Sequence, residues 1–413
     1  MKKIALGVFL SILVNFANAE TPLTVAVYPG LDEAVKIAIP LYKKLHPEVE
    51  IQLVSQGYEE HHKAMEKALY SGIGQPDVMG VDSRYVAGFD KTGRLENLLL
   101  LPYGSWRYHK LFHRAVALIP SEEDQRYMQA SVSPKTLLYR EDLLHQAGLS
   151  EKDLTGSWEA FIEAGKKLKA ATGACLVSDA AEIVDLYVRD QTEEKQGLYR
   201  KHAKSCTKPD NIRPPVFTKA FELALAASQA GINCGISSGS NEWREGLKQG
   251  KFASLFINVS DLGKVLSSND QDPWRVAQLP GNSFVLGGGD FYAIPSNALH
   301  KEKAWDFIKL LTMDARVQTQ WALKTGVFPA LLEAQTPELM NQPMVFLGGQ
   351  TARKIWQTSL KKAKVLLLDP HTSLELQEVE VFQSELYYVL SGEKTIQSVI
   401  EELPLYFSTR CRR

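Results

Sequence analysis

Asp82, Arg84, Asp179, Asp290, Gln350 and Arg353 carry planar polar groups that can satisfy two neighbouring hydroxyls at once. Tyr58 and Trp243 offer ring faces for the apolar side of a hydroxyl-rich solute. Ser178 adds a hydroxyl beside Asp179, and Gly288, within a run of three glycines, suits a hinge or a backbone that a ligand approaches closely. Such a set can bind a solute rich in hydroxyls. Each member also has an ordinary use: Asp82 and Asp179 can cap the helices that follow them, and Arg353 can sit in a surface ion pair.

The elements that must position these groups are legible from period. Val35, Ile39, Tyr42 and Leu45 fall three and four apart, which predicts a helix stopped at His46-Pro47. Val49, Ile51 and Leu53 predict a strand, 60–69 a second amphipathic helix closed at Ser71-Gly72, and 77–81 (DVMGV) a short buried strand. With the strand TVAVY from Thr24, this alternation implies an open α/β sheet, and such sheets bind ligands beyond the carboxyl ends of their strands. Gly57-Tyr58 and Asp82-Ser83-Arg84 stand at two such ends.

The stretch LHPEVEIQLVSQ…QPDVMGVDSRYVAGFDKTGRLENL resembles the amino-terminal lobe of the maltose-binding-protein-like extracellular solute-binding proteins of ABC importers. SPKTLLYREDLLHQAGLSEKDLTGSWEAFIEAGKKL, GGGDFYAIPSNALHKEKAWDF and FLGGQTAR are similar to the family's entry into its second lobe, its return crossing and a sugar-branch loop, in the same order. The resemblance implies a two-lobed periplasmic-binding-protein fold of type II, with a cleft between α/β lobes. It divides the chain into lobe one at 20–130, lobe two at 131–286, a second crossing with return to lobe one at 287–341, and carboxy-terminal helices of lobe two at 342–413. It also implies the function: a binding protein that carries a sugar to membrane permease subunits, not an enzyme, monomeric, with no cofactor. The site residues it suggests are Tyr58, Asp82, Arg84, Ser178, Asp179, Trp243, Gly288, Asp290, Gln350 and Arg353. INVSDLG, after the 252–259 strand, departs from the family, where a Trp is common; this weakens any expectation of a long oligosaccharide. The 98–125 segment also departs from it and carries no clear element.

Compartment follows from the first residues. Lys2-Lys3, an apolar run at 4–14 and Ala17-Asn18-Ala19 read as a signal peptide at 1–19, cleaved to leave Glu20. The apolar run is shorter than the roughly 20 residues that span a bilayer. No cysteine stands at the cleavage site to carry a lipid, so periplasmic release without membrane insertion is expected. Processing leaves 45 basic side chains against 48 acidic, a net charge of −3, which argues against a nucleic-acid partner. Cys175, Cys206, Cys234 and Cys411 would meet an oxidising compartment, and one disulfide among the first three is expected, its pairing open.

Sharper motifs fail on context. Gly235-Ile236-Ser237-Ser238-Gly239 has the spacing of a hydrolase nucleophile turn but lacks the strand leading into Ser237. His61 and His62 are adjacent, so about 100° apart on a helix, too divergent to share a metal. Tyr387-Tyr388 resembles the pairs of ferric-ion receptors, but within LYYVLSG one or both are expected to face the core. Trp158, Trp305, Trp321 and Trp356 read as core. The alternatives are a same-fold receptor for a polyamine, an anion or a glycerol-phosphate ester, and a periplasmic carbohydrate-active enzyme, which would need paired carboxylates across the cleft.

Overall fold

A computed structural model describes residues 22–112, 116–118, 124–191, 214–266, 273–363, 366–368 and 375–410. The expected signal peptide, Cys206 and Cys411 lie outside them. The described strands are Leu23–Val27 (β1), Ile51–Ser55 (β2), Val78–Asp82 (β3), Val116–Leu118 (β4), Tyr127–Gln129 (β5), Lys135–Arg140 (β6), Ser254–Asn258 (β7), Trp274–Ala277 (β8), Asp290–Ala293 (β9) and Leu366–Leu368 (β10). They form three sheets, ordered β2-β1-β3-β9-β5, β7-β6-β8 and β10-β4.

The first sheet is the core of lobe one. β1, β2 and β3 run parallel, and β9 returns antiparallel between β3 and β5. Two helices fix its strand ends. In α1 (Leu31–Leu45) the buried stripe is Leu31, Ala34, Val35, Ala38 and Tyr42, whereas Leu45 is exposed. The apolar face therefore begins one turn earlier than the sequence spacing predicts, because the helix starts at Leu31 directly after the turn at Gly30. α2 (Tyr58–Ser71) buries His61, His62, Met65, Ala68 and Leu69, and ends where Gly72 adopts the left-handed conformation. The chain returns to this lobe in helices Lys301–Met313 and Ala315–Thr325, which pack on α1.

Lobe two is built on the antiparallel β7-β6-β8 sheet. Alternation along β6 divides its core: Leu137 and Tyr139 join Trp158, Phe161 and Phe256 on one face, and Leu138 joins Leu255, Ile257 and Trp274 on the other. Helices Trp158–Thr172, Ala181–Gln191 and Pro214–Gln229 cover the first face, joined by Glu375–Leu390 and Ile396–Arg410. Trp158, Trp305, Trp321 and Trp356 are all buried, as expected. No helix among the described residues is long and apolar enough to cross a membrane.

The lobes are joined by adjacent extended segments. Ser133 N–H donates to Gly288 O (2.9 Å), Gly287 N–H to Ser133 O (2.7 Å), and Val132 N–H to Phe328 O (3.0 Å), so 130–134, 285–289 and 327–331 support one another. In the 98–125 segment a 3₁₀ turn at Ser105–Leu111 precedes β4, which pairs in parallel with β10.

Cys175 and Cys234 form a disulfide with their Cα atoms 5.6 Å apart. It ties two segments of lobe two already laddered by the Cys175–Phe252 and Val177–Asn233 bridges. Closing a 59-residue separation constrains the unfolded chain, and losing such a bond costs about 2–5 kcal/mol. Replacing both cysteines by serine should therefore lower the melting temperature measured by calorimetry; an unchanged melting temperature would contradict this.

Candidate functional site

Three strand ends of lobe one meet beside the crossings. β1 runs into Tyr28, β3 ends at Asp82, and β9 begins at Asp290, which stands opposite Asp82 in register. The geometry of Asp82 matches the capping reading. Its side chain accepts the Arg84 N–H at 2.9 Å, capping the short turn Ser83–Tyr85, and accepts the Arg84 guanidinium at 3.1 Å. Burial alone would raise the Asp82 carboxyl, but the charge and hydrogen bonds of Arg84 outweigh it and hold it below the usual range. Arg84 in turn lies over the Tyr58 ring, 4.8 Å from guanidinium carbon to centroid, and Tyr28 meets Tyr58 edge-on at 5.3 Å.

Asp290 is buried and accepts from the Tyr28 hydroxyl at 2.7 Å and the Ser131 hydroxyl at 2.5 Å; Ser131 Oγ accepts the Asp290 N–H at 2.9 Å. Burial, then the neighbouring Asp82 charge, pushes its carboxyl up to about 6 against these hydrogen bonds. The Asp261 charge, in the turn Val259–Asp261 of lobe two, acts on both Arg84 and Asp290. Groups from both lobes thus influence one another here.

In lobe two, Ser178-Asp179 lies just before the helix Ala181–Gln191. Ser178 Oγ donates to Glu182 at 3.0 Å, and Asp179 accepts the Ala181 N–H at 2.9 Å and the Gln383 amide at 2.8 Å. Asp179 therefore does cap its helix, with its second oxygen directed to Gln383, which also donates to Ser237 Oγ at 3.0 Å. Burial raises Glu182 to about 7, opposed by the charge of Lys135. Gly288 has φ +106°, and a Cβ there would run into Ser83 Oγ.

This arrangement gathers carboxylates, a guanidinium and aromatic rings at adjoining strand ends beside the crossings. A family model described as bacterial extracellular solute-binding protein matches residues 38–345. The chain belongs to that family. The Lactose-binding protein of Rhizobium radiobacter is 25% identical to this solute-binding protein over 361 residues, 80% of this chain and 78% of the relative. Among solved structures, the GacH receptor of Streptomyces glaucescens GLA.O superposes with a TM-score of 0.70 at 18% identity, covering 95% of this chain and 98% of that one. The sugar-binding protein MalE from Xanthomonas citri gives the same TM-score, identity and coverage, and a structure described as extracellular solute-binding protein family 1 reaches 0.75 at 19% identity. These likenesses show the two-lobed fold.

Within the solute-binding protein, three expected site residues are committed elsewhere. Both ends of the Gln350 amide pair with the backbone of Val276 on β8, at 2.8 and 3.1 Å, extending that strand's edge. Arg353, anticipated as a surface ion pair if not a ligand contact, is instead buried and donates to Ala322 O at 2.8 Å, at the carboxyl end of helix Ala315–Thr325. These residues therefore stitch the 344–353 segment to both lobes. Trp243 is buried in the apolar core with its indole N–H unpartnered, rather than presenting an open ring. Trp243→Ala should accordingly cost about 3–5 kcal/mol in denaturant unfolding, so Trp243→Phe is the variant that isolates any ligand contact.

Sequence reasoning passed over Tyr28, Ser131, Glu182 and Asp261. The strand-end rule that selects Asp82 would have selected Tyr28, the residue after TVAV, and Glu182 lies one helical turn beyond Ser178. Ser131 and Asp261 carry no local signal and become site residues only through the crossings. Among the described residues, no group of three His, Cys, Asp or Glu side chains could hold a metal ion.

Proposed function

We propose that this chain is the periplasmic receptor of an ABC importer, binding a sugar between its lobes and presenting it to the membrane permease. The observation that carries the reading is the convergence of Asp82, Arg84, Tyr58, Tyr28 and Asp290 on adjoining strand ends of lobe one, beside the crossings to lobe two. Paired polar groups over aromatic faces suit hydroxyls and the apolar face of a sugar ring. The lactose-binding relative favours the same solute class. Arg84 offsets the charge of Asp82, so this pair presents polar groups without a net charge, which suits a neutral solute. Binding by groups of both lobes would shift an open-closed equilibrium toward the closed form, the state a permease would read.

Titration calorimetry of the mature chain with lactose, maltose, maltotriose and tagatose tests this against spermidine and glycerol 3-phosphate. A Kd near 1 μM, corresponding to about 8 kcal/mol, is expected for at least one sugar. Binding of spermidine or the phosphate ester alone would replace the sugar reading. Mass spectrometry of the periplasmic fraction should find a chain beginning at Glu20, and light scattering a monomer.

A further inference from the structure

We infer that His62 is a positioning residue of the ligand wall: a neutral imidazole, protonated on Nδ1, that holds Tyr58 and the Asp82–Arg84 pair in one geometry. The wall's contact with ligand rests on the sugar-receptor reading; the clamp itself does not. The His62 ring bridges the two elements that deliver the wall. Its Nε2 accepts the backbone N–H of Asp82 at 3.2 Å, where β3 ends, and its Nδ1 stands 2.7 Å from the carbonyl of Tyr58, where α2 begins. An N–H can only donate, so Nε2 must be unprotonated, and the proton must lie on Nδ1 to satisfy the carbonyl. One tautomer alone makes both bonds. The imidazolium would aim a second N–H at the Asp82 amide and release the end of β3.

Packing holds the ring in place. His62 is fully buried, stacked on Tyr85 at 3.8 Å and 14°, with Tyr58 at 4.6 Å and Tyr28 at 4.9 Å. Its neighbour His61 makes the opposite choice: Nε2 lies 2.8 Å from Gly80 O and so carries the proton, while Nδ1 is buried without a partner. Adjacent histidines of α2 thus grip β3 from one side, one through its carbonyl and one through its amide. The titratable groups facing His62 are Tyr28 after β1, Tyr58 and His61 on α2, Asp82 at the end of β3, and Arg84 and Tyr85 after it. Burial, with the charges of His61 and Arg84, lowers His62 to about 4 against the Tyr58 hydrogen bond and Asp82, so the clamp stays neutral in mildly acidic surroundings.

The test uses the mature chain with His62→Leu, His62→Gln and His62→Asn. Without ligand, ring ¹⁵N shifts should place the proton on Nδ1 of His62 and Nε2 of His61, with no titration of His62 between about pH 8 and 5. Exchange of the Asp82 amide should speed up about tenfold in His62→Leu and in His62→Asn, whose amide reaches only the Nδ1 position. His62→Gln, with an oxygen where Nε2 accepts, should keep the amide protected. Lactose affinity should fall about tenfold in His62→Leu and within about threefold in His62→Gln. A His62 that titrates near 6.5, the Nε2 tautomer, or equal exchange in His62→Gln and His62→Asn would overturn the clamp; should His62→Leu fail to fold, that last comparison decides. Failure of every sugar to bind wild type sinks the receptor reading instead, and the ligand-free shifts and exchange still judge His62.

Discussion

Asp82→Ala is expected to remove sugar-induced thermal stabilisation and to weaken binding at least about 100-fold, while the unliganded protein still folds. Truncation deletes a charge-assisted acceptor and frees Arg84 from the place it holds over Tyr58. Severing a fully buried ion pair would cost about 3–5 kcal/mol. Here the Arg84 side chain retains 35% of its exposure and can turn toward water, so a loss nearer 1–2 kcal/mol is expected. Capping and ligand binding are separated by Asp82→Asn, because Asn caps a turn as well as Asp does. That variant should melt within a few degrees of wild type yet bind about 10–100-fold more weakly, since the charged acceptor is gone. A ligand at 100 times its Kd stabilises wild type by about 2.7 kcal/mol, so loss of the shift is readily measured. Full shifts in both variants would remove Asp82 from the site.

Gly288→Ala is the second large effect. The residue sits at φ +106°, where a side chain costs about 1–2 kcal/mol, and the new Cβ would overlap Ser83 Oγ at the turn that presents Asp82. Overpacking adds about 1–3 kcal/mol. The carbonyl of Gly288 meanwhile accepts from Ser133 N–H, and Ser83 N–H donates to Gly289 O, so relief by moving this strand disturbs two crossing bonds at once. Scanning calorimetry should show a melting temperature lower by several degrees, and affinity should fall with it because Asp82 is displaced. Gly288→Ala combined with Ser83→Gly should recover part of the loss. Wild-type melting and affinity in Gly288→Ala would show that the crossing is not constrained as described.

The lobe-one sheet and its ligand edge were legible because they rest on local signals, whereas the two-lobed fold was implied by the resemblance of four stretches to a known family. Period three-to-four and period two, broken by His46-Pro47 and Gly72, locate α1, α2, β2 and β3, and chain alternation then requires a sheet with a ligand edge. Asp82 was visible because it directly follows a buried strand. Gln350 and Arg353 were placed by likeness to a loop motif, and the motif does not say what its side chains meet. Gln350 turned to the edge of β8, where its amide meets both backbone groups of Val276, and Arg353 to the Ala322 carbonyl in the last turn of a helix, which also accepts the Gly326 N–H. The cysteines were similar: the compartment predicted a bond, and only the neighbouring segments at Val177 and Asn233 chose Cys175 with Cys234.

By itself the sequence determined the alternation of elements, the lobe-one strand ends and the kind of chemistry they offer, since each depends on residues within about a dozen positions of one another. The tertiary structure decided which distant groups come together at the candidate site: Asp290 opposite Asp82, Ser131 and Tyr28 on Asp290, and Asp261 across from Arg84. Their proximity comes from strand register and from antiparallel return of β9 through the crossings, and no local pattern encodes the pairing of segments more than a hundred residues apart.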